Sequence, residues 1–132
     1  MLRNEYGGAG VSNISYGLIA FELEKIDSSY RSSISVQSSL VIHPIYHFGS
    51  EEQKNYYLPD LISGKKISAV AVTEPDAGSD VAGIKTTAKR DGDDYVLNGT
   101  KFYITNGVHA DIYFVAAKTD TANLSVGQSA KK

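Results

Sequence analysis

Residues 71–80 read Ala71-Val72-Thr73-Glu74-Pro75-Asp76-Ala77-Gly78-Ser79-Asp80, and they decide how the rest of the chain is interpreted. The apolar, β-branched run from Ile67 to Thr73 predicts a strand that ends here. The proline, glycine and acidic residues that follow predict a loop with a fixed backbone shape. We expect Gly78 to adopt a positive φ or to let a ligand approach the backbone closely. Side-chain donors and acceptors surround it on Thr73, Ser79 and Asp80.

Such a loop has two interpretations. Consecutive N–H groups at a strand end can converge on a cluster of oxygen atoms, which suits a phosphate-bearing or ring-shaped ligand. A turn built from glycine, serine and aspartate is, however, more often a plain connection. Composition alone therefore leaves ligand binding open at this loop.

The overall composition is that of an ordinary globular protein. The chain has 132 residues, enough for one domain or for parts of two, with 42% hydrophobic and 21% charged residues. Its net charge of −2 and its lack of a basic cluster give no electrostatic support for binding nucleic acid or an anionic membrane. Cysteine is absent, which excludes disulfides, thiolate zinc sites and cysteine nucleophiles. Because no apolar run is long enough to cross a bilayer, we predict neither a nucleic-acid nor a membrane partner.

Helical spacing dominates the first half of the chain. Ser12 or Asn13 is a candidate N-cap, and the apolar residues that follow predict a first helix that ends near residues 27–29. A second helix is predicted from Tyr30 to Phe48, with a kink or local break at Pro44. Ser50 and Gln53 have the spacing of a capping box and predict the start of a third helix. The apolar stripe of the first helix consists of Ile14, Tyr16, Leu18, Ile19, Phe21, Leu23 and Ile26.

After Gly64 the apolar pattern changes to alternation. Alternating segments lie at 67–73, 84–90, 95–97 and 111–117. The turn Asp91-Gly92-Asp93 separates two of them, and Asn98-Gly99 is the strongest short hairpin signal in the chain. Lys101 to Thr105 is therefore predicted to return as a further strand. Helices first and an antiparallel meander second predict an α+β fold, in which N-terminal helices precede an antiparallel β-sheet or barrel portion.

Several separated motifs resemble one enzyme family. Val72-Thr73-Glu74-Pro75, followed by Ala77-Gly78-Ser79-Asp80, is similar to the signature of the FAD-dependent acyl-CoA dehydrogenases. Further blocks similar to that family are Phe48-Gly49-Ser50-Glu51-Glu52-Gln53-Lys54 with Tyr57-Leu58-Pro59, and Leu97-Asn98-Gly99-Thr100-Lys101 with Ile104-Thr105-Asn106-Gly107. The resemblance covers nearly the whole chain up to Asp120. The blocks that most resemble the glutaryl-CoA dehydrogenase branch are Glu22-Leu23-Glu24, Asp27-Ser28-Ser29-Tyr30-Arg31-Ser32 and Val36-Gln37-Ser38-Ser39.

The resemblance implies a division into domains. Residues 1–66 correspond to part of an N-terminal helical domain, 67–118 to part of a middle β-domain, and 119–132 form a polar tail. Family members are longer, and their C-terminal helical domain carries the glutamate base, part of the FAD site and most tetramer contacts. We therefore predict no catalytic residue in this chain and assign no such role to Glu24, Glu51, Glu52 or Glu74. The chain alone is expected to have little FAD affinity and no turnover.

The resemblance also implies a reaction, the α,β-dehydrogenation of an acyl-CoA thioester, with glutaryl-CoA as the expected substrate. A base removes the α-proton while the β-hydride passes to flavin N5, and the electrons then go to an electron-transferring flavoprotein. In the glutaryl branch, loss of the distal carboxyl as CO2 can follow and give crotonyl-CoA. The implied cofactor is FAD, and the implied assembly at full length is a homotetramer. The expected compartment is the cytoplasm, or the mitochondrial matrix for a eukaryotic source.

The cofactor residues are assigned by the same resemblance. They are Val70, Val72, Thr73, Gly78, Ser79, Tyr103, Ile104 and Thr105. The Thr73 position serves the pyrimidine side of the flavin, and the Thr105 position approaches N5, where charge develops as hydride arrives. Tyr103 departs from the pattern because many members carry tryptophan there, although a tyrosine ring can still stack. Without the resemblance, both threonines would be read as simple strand formers.

Arg31 is the informative residue for the substrate. Glutaryl-CoA ends in a second carboxylate, whose burial requires a cationic partner, and a guanidinium can grip it with two parallel hydrogen bonds. The resemblance places Arg31 and Ser32 at that carboxylate, with Glu24 orienting the arginine and Ser79 near the CoA arm. The residues alone indicate a surface arginine paired with Glu24 or Asp27.

Other functions have less support. His43 and His47 are spaced for one helix face, but Pro44 disturbs that spacing and no HExxH motif or cysteine partner exists, so no metal site is predicted. The sequence contains no GxSxG motif, the pattern typical of serine hydrolases, so this activity is not predicted. Two alternatives from other classes stay open: a non-catalytic acyl-CoA-binding module, and the non-functional remnant of a broken gene.

Overall fold

The computed structural model describes residues 4–119, so all but the first residue of the predicted polar tail lies outside the described residues. The helices are α1 (Asn13–Ile26), α2 (Ser28–Ser35), a π-helical segment (Val36–Ile42), α3 (His43–Phe48) and α4 (Glu51–Ile62), with short 3-10 turns at Asn4–Tyr6 and Val81–Gly83. The strands are β1 (Ser68–Ala71), β2 (Thr87–Asp91), β3 (Asp94–Asn98) and β4 (Ile112–Val115). Helices followed by small sheets confirm the predicted α+β class, and no closed barrel forms among residues 4–119.

Side-chain caps define the helix starts. Ser12, rather than Asn13, caps α1 by accepting a hydrogen bond from the Ser15 N–H at 3.1 Å. The predicted capping box of α4 is confirmed, because the Ser50 hydroxyl accepts from the Gln53 N–H at 3.2 Å and the Gln53 side chain accepts from the Ser50 N–H at 2.9 Å. Each bond satisfies a backbone donor that the helix itself cannot use.

Pro44 acts on the helix turn that precedes it. Residues 28–48 are helical without interruption, but 36–42 widen into a π-helix in which the His43 N–H bonds to the Ser38 carbonyl. Proline has no N–H to donate and its ring crowds the carbonyl one turn earlier. The local break predicted at Pro44 is thus a widening just before it, and it brings Val41 and Ile42 into the core.

The core is small and lies between the π-helical segment and α4. Val41, Ile42, Leu58 and Leu61 are its buried residues, and side chains from β1 and β4 pack against them. The predicted stripe of α1 does not join this core, since α1 has no buried residue and 77% of Ile14 is exposed. The apolar contacts that hold residues 4–119 together therefore leave α1 at the periphery.

One amide joins the helical half to the sheets. Gln37 donates through Nε2 to the carbonyl oxygens of Leu61 (2.9 Å) and Lys66 (2.8 Å). Its Oε1 accepts from the N–H and the hydroxyl of Ser68, at 2.8 and 2.7 Å. Because every polar atom of this side chain is used, Gln37 fixes the end of α4 and the start of β1 to the same point.

The strand pairing corrects part of the prediction. The hairpin β2–β3 is antiparallel, but β1 pairs with β4 in parallel, from Ser68 with Ile112 to Ala71 with Val115. A continuous antiparallel meander is therefore wrong. Alternation of apolar and polar residues identifies strands, but it does not identify which strands pair. In this chain the β2–β3 hairpin lies between β1 and β4 in sequence, and β4 then runs beside β1 in the same direction.

The hairpin turn lies at Gly92 and not at Asn98-Gly99. Gly92 has a φ of 62°, as the first central residue of a type II′ turn requires. Gly99 instead lies against Thr86, where a Cβ on Gly99 would meet the Thr86 Cα at 2.8 Å. The predicted return strand Lys101–Thr105 is also wrong, since this segment crosses to β1 and the Phe102 N–H bonds to the Thr73 carbonyl at 2.9 Å. Glycine at position 99 thus lets this segment lie directly against Thr86.

This difference gives a stability test. Gly99→Ala should destabilise the chain by roughly 1–3 kcal/mol, because the new methyl group overlaps the Cα and Cβ atoms of Thr86, which cannot move aside without shifting the backbone. Gly78→Ala is the matched control, since a Cβ there meets nothing within 4 Å and the φ of Gly78 is not positive. Urea unfolding measures the free energy of unfolding of both variants, and equal m-values would show that the change lies in stability. Equal stabilities of the Gly99→Ala and Gly78→Ala variants would contradict the close approach between Gly99 and Thr86.

Candidate functional site

A buried carboxylate shapes the loop after β1. Only 6% of Glu74 is exposed, and its two oxygens accept hydrogen bonds from the Lys85 N–H (2.5 Å), the Thr86 N–H (2.9 Å) and Lys101 Nζ (2.8 Å). Glu74 and Ala77 also exchange backbone hydrogen bonds at 2.9 and 3.2 Å, which closes the turn around Pro75. The decapeptide therefore has the fixed backbone shape that its sequence predicts.

Lys101 connects this loop to a second segment. Besides its ion pair with Glu74, Lys101 Nζ donates to the Val72 carbonyl at 2.9 Å, and the next residue, Phe102, donates its N–H to the Thr73 carbonyl. These bonds place residues 72–74 beside 101–102. The segments that contain Thr73 and Thr105 are thus neighbours in space.

Competing effects set the ionisation of Glu74. Burial alone would raise the pKa of Glu74, but the Lys101 ammonium and the two backbone N–H donors outweigh it and lower the pKa to about 2. Glu74 is therefore a permanent carboxylate at neutral pH. A group with so low a pKa is a poor general base, so the carboxylate of Glu74 is not suited to proton abstraction.

The predicted cofactor residues lie on two segments that the structure makes adjacent, and on the loop between β1 and β2. Val70, Val72 and Thr73 are half-buried at and after β1, and Ile104 is half-buried between two exposed neighbours, Tyr103 and Thr105. Gly78 and Ser79 are exposed on the loop that Glu74 fixes. Among the described residues no hydrogen bond joins Gly78 or Ser79 to Thr105; the loop is connected to the second segment through the Glu74–Lys101 pair and through the Thr73–Phe102 backbone bond. The roles of these residues in cofactor binding stay predictions.

One backbone expectation for this face needs correction. Gly78 is expected from the sequence to have a positive φ or to let a ligand approach closely; its φ is not positive, and the space beside it is open. The left-handed conformation occurs instead at Tyr103, with a φ of 55°, and at Asn106, with a φ of 64°. A left-handed tyrosine is strained, and Tyr103 is 93% exposed, so its ring is accessible from solvent.

A cavity of about 280 Å³ lies beside the Glu74–Lys101 pair. It is lined by residues of both sheets and of the 99–107 segment: Ala71, Thr86, Leu97, Gly99, Lys101, Ile104, Gly107, Tyr113 and Val115. The Thr86 hydroxyl is buried and has no hydrogen-bond partner among the described residues. The walls are otherwise mainly aliphatic and aromatic, which strengthens the neighbouring ion pair. A second cavity, of about 430 Å³ beside Tyr16 and Ser38, contains none of the predicted site residues.

The predicted substrate residues lie where α1 and α2 meet. Arg31 donates through Nε to Glu24 Oε2 at 2.6 Å, and the Ser28 hydroxyl donates to Glu24 Oε1 at 2.8 Å. Hydrogen bonds from Arg31 and then from Ser28 lower the pKa of Glu24. The side chains of Arg31 and Glu24 are 41% and 43% exposed, so water still reaches the pair. Glu24 therefore orients Arg31 in this structure, whereas binding of a substrate carboxylate stays a prediction.

Sequence reasoning missed three polar residues that build the site. Gln37, Lys101 and Asn106 appear in the quoted motifs, but no role was predicted for them. The available signal was weak: Lys101 is a cation that directly precedes the aromatic pair Phe102-Tyr103, and Asn106 precedes a glycine, where a left-handed residue is common.

The alternative sites have little structural support. His43 and His47 have ring centroids 4.2 Å apart, but within residues 4–119 no three histidine, cysteine or acidic side chains are grouped so that they could hold a metal ion. In the same part of the chain, no helix has the length and apolar character that crossing a bilayer requires.

Comparison with known proteins decides the family. The family model of the acyl-CoA dehydrogenase N-terminal domain matches residues 1–65, and that of the acyl-CoA dehydrogenase middle domain matches residues 69–130. The chain belongs to the acyl-CoA dehydrogenase family. Members of this family are oxidoreductases that act on CH–CH donors. The predicted α+β order is thus that of two consecutive acyl-CoA dehydrogenase domains.

Individual relatives agree with this assignment. The chain is 54% identical to glutaryl-CoA dehydrogenase from Mycobacterium smegmatis in complex with FADH2, with a TM-score of 0.85 over 90% of this chain and 31% of that one. It is 47% identical to mitochondrial isovaleryl-CoA dehydrogenase from Bos taurus, over 88% of this chain and 27% of the relative. A chain from a structure of the electron transferring flavoprotein of Acidaminococcus fermentans is 45% identical, with a TM-score of 0.88 over 92% of this chain and 32% of that one. This acyl-CoA dehydrogenase chain spans about a third or less of the length of these relatives.

The buried pair predicts a pH effect on stability. Because the pKa of Glu74 is lower in the folded chain, its stabilisation is fully present above the ordinary value of 4.5 and is lost as the pH falls towards about 2. Glu74→Gln should remove this pH dependence and, since it leaves Lys101 buried without its counter-charge, should cost about 3 kcal/mol or more at neutral pH. Urea unfolding between pH 2 and 7 measures both effects.

The control for this variant is Asp76→Asn in the same loop. Asp76 pairs with Lys85, but both side chains are more than two-thirds exposed, at 71% and 74%. Solvent screens such a pair, so this change should leave stability nearly unaltered. A Glu74→Gln variant as stable as Asp76→Asn would show that the buried pair does not hold the loop.

Proposed function

We propose that this chain forms the flavin edge and the distal-carboxylate end of the substrate cleft in an FAD-dependent acyl-CoA dehydrogenase that acts on glutaryl-CoA. The observation that carries the proposal is the adjacency of the Thr73 and Thr105 segments, fixed by Lys101 and the Phe102–Thr73 hydrogen bond. The reaction is α,β-dehydrogenation of the thioester. The electrons go on to an electron-transferring flavoprotein, the assembly is a homotetramer at full length, and the compartment is the cytoplasm or the mitochondrial matrix.

The exposed face fits a flavin ring. Thr105 is exposed, Tyr103 projects its ring into solvent, and the space beside Gly78 is open. The Thr73 carbonyl is already bonded to Phe102, so the Thr73 hydroxyl is the group left for the pyrimidine edge. FAD, when bound, supplies the acceptor for the hydride that leaves the substrate. The residues of this chain position the ring and exclude water from one of its faces.

Arg31 supports glutaryl-CoA as the substrate. Among the described residues Arg31 bonds only through Nε, so the edge formed by its two terminal nitrogens remains for a second carboxylate. Glu24 on one side and a substrate carboxylate on the other would leave no guanidinium edge unpaired. An isovaleryl group offers no charge to this arginine, so Arg31 favours a dicarboxylate substrate over an isovaleryl one.

Two further candidates remain from other classes, a non-catalytic acyl-CoA-binding module and a non-functional remnant. Binding of a CoA ester without flavin would support the module, and an unfolded or aggregated chain would support the remnant.

The isolated chain provides the first test. We expect it to retain little FAD and to reduce no dye with glutaryl-CoA, because the predicted base lies outside it. Flavin absorbance after gel filtration and a dye-reduction assay measure these properties. Clear turnover by the 132-residue chain would contradict the assignment of the base to another domain.

Substrate choice needs a protein of full family length. The matching 31% of the M. smegmatis glutaryl-CoA dehydrogenase can be replaced by this chain to make a chimera. In that chimera, Arg31→Ala should lower kcat/KM for glutaryl-CoA by roughly 100-fold or more, and for butyryl-CoA by much less, since only glutaryl-CoA leaves a carboxylate unpaired.

Arg90→Ala is the matched control for Arg31→Ala. Arg90 lies on the β2–β3 hairpin, and its side chain donates to the Gly92 carbonyl, far from α2 in the sequence. Its removal should affect both substrates equally and weakly. Equal losses for glutaryl-CoA and butyryl-CoA in Arg31→Ala would remove the dicarboxylate assignment.

A further inference from the structure

Asn106 bonds to three separate parts of the chain. Its Oδ1 accepts from the Ser33 hydroxyl on α2 at 3.2 Å, and its Nδ2 donates to the Ser68 carbonyl at the start of β1 at 3.1 Å. Its own carbonyl accepts from the N–H groups of His109 and Ala110 at 3.0 and 2.9 Å. One residue therefore connects a helix, a strand and the turn that leads into β4.

The neighbours of Asn106 give these contacts a functional meaning. Thr105, the residue proposed for the flavin, directly precedes it. Ser33 directly follows Ser32 and is two positions from Arg31, the residues proposed for the distal carboxylate. The Ser33–Asn106 hydrogen bond is thus a short side-chain connection between the two ends of the proposed cleft.

The backbone of Asn106 explains the choice of residue. Its φ of 64° lies in the left-handed region, which glycine adopts freely and asparagine tolerates better than most residues. Glycine would satisfy the turn but could not bond to Ser33 or Ser68. Asparagine at this position therefore provides the turn and both hydrogen bonds together.

We propose that Asn106 is a positioning residue that sets the distance between the distal-carboxylate end and the flavin edge of the cleft. This inference rests on the proposed function for the identity of the two ends. The side chain of Asn106 acts through two hydrogen bonds, one with Ser33 and one with Ser68, which hold the Thr105 turn against α2 and β1. We call these two bonds the Asn106 tie. Because the amide touches neither proposed ligand group, its effect is on geometry.

A double-mutant cycle in the 132-residue chain tests the tie without a ligand. Asn106→Gly keeps the left-handed turn and removes the side-chain bonds, and Ser33→Ala removes the partner hydroxyl. The two changes should be non-additive by roughly 2- to 10-fold in the unfolding equilibrium constant. Ser39→Ala is the matched control on the same helical run, since its hydroxyl is exposed and does not reach Asn106, and it should be additive with Asn106→Gly.

Amide hydrogen exchange supplies a local readout. In Asn106→Gly the protection of the Phe102 and Gly107 amides should fall roughly ten-fold or more, whereas the β2–β3 amides keep theirs. Asn106→Asp keeps the acceptor for Ser33 and the tolerance of a left-handed φ, so it should restore the coupling to Ser33. Additive energies with unchanged exchange at Phe102 and Gly107 would overturn the proposal and leave Asn106 as a simple turn residue.

A titration with FAD separates this inference from the proposed function. Millimolar FAD should shift the amide resonances of Thr73 and Thr105 in the original chain, and in Asn106→Gly the Thr105 shift should be smaller. Thr105 shifts that are equal in the two chains would also overturn the positioning role. If the full-length chimera described above retains no FAD, the proposed function fails, and the cycle and the exchange rates in the 132-residue chain then decide whether Asn106 connects α2 to the Thr105 turn.

Discussion

The buried carboxylate of Glu74 is the constraint on which the rest of the site depends. An unpaired carboxylate in this position would be prohibitively costly, so the fold must bring donors to it. It does so from two directions, through the backbone N–H groups of Lys85 and Thr86 and through the ammonium group of Lys101. Satisfying one charge thereby fixes three segments of chain together. The exposed face with Thr73 and Tyr103 is the outer surface of that arrangement.

The neutral side-chain amides of Gln37 and Asn106 hold the helical half in position. They restrict its placement strongly, although each hydrogen bond adds little to the free energy of unfolding. The buried apolar core between the halves is small, whereas Gln37 and Asn106 each bond to backbone groups at the start of β1. A hydrogen bond of this kind contributes only about 1 kcal/mol to stability, but it permits only a narrow range of distances and angles. The position of α2 relative to the segments that carry Thr73 and Thr105 is therefore set by directional contacts. Such contacts suit a cleft whose two ends must be held at one spacing.

The sequence predicted the local features well and the long-range ones poorly. The capping box of Ser50 and the turn at Gly92 depend on neighbouring residues, and both occur as the local pattern indicates. The parallel pairing of β1 with β4 and the role of Gly99 depend on residues far away in the chain, which periodicity does not report. Likewise, nothing in the local sequence of Glu74 indicates that its counter-ion is Lys101. The motif identified the family, but the physical reason for its glutamate became visible only in three dimensions.

The Arg31–Glu24 pair follows a different logic from the Glu74–Lys101 pair. Glu74 and Lys101 are almost fully buried and bond to each other and to neighbouring backbone groups, so they hold the structure together. Arg31 and Glu24 remain more than two-fifths exposed, and the arginine is bonded through one edge only. Water weakens that pair in the open chain, but a substrate that displaced the water would strengthen every charge–charge contact around the guanidinium. Partial exposure and an unused edge are therefore the properties that suit Arg31, of these two cations, for recognising an incoming carboxylate.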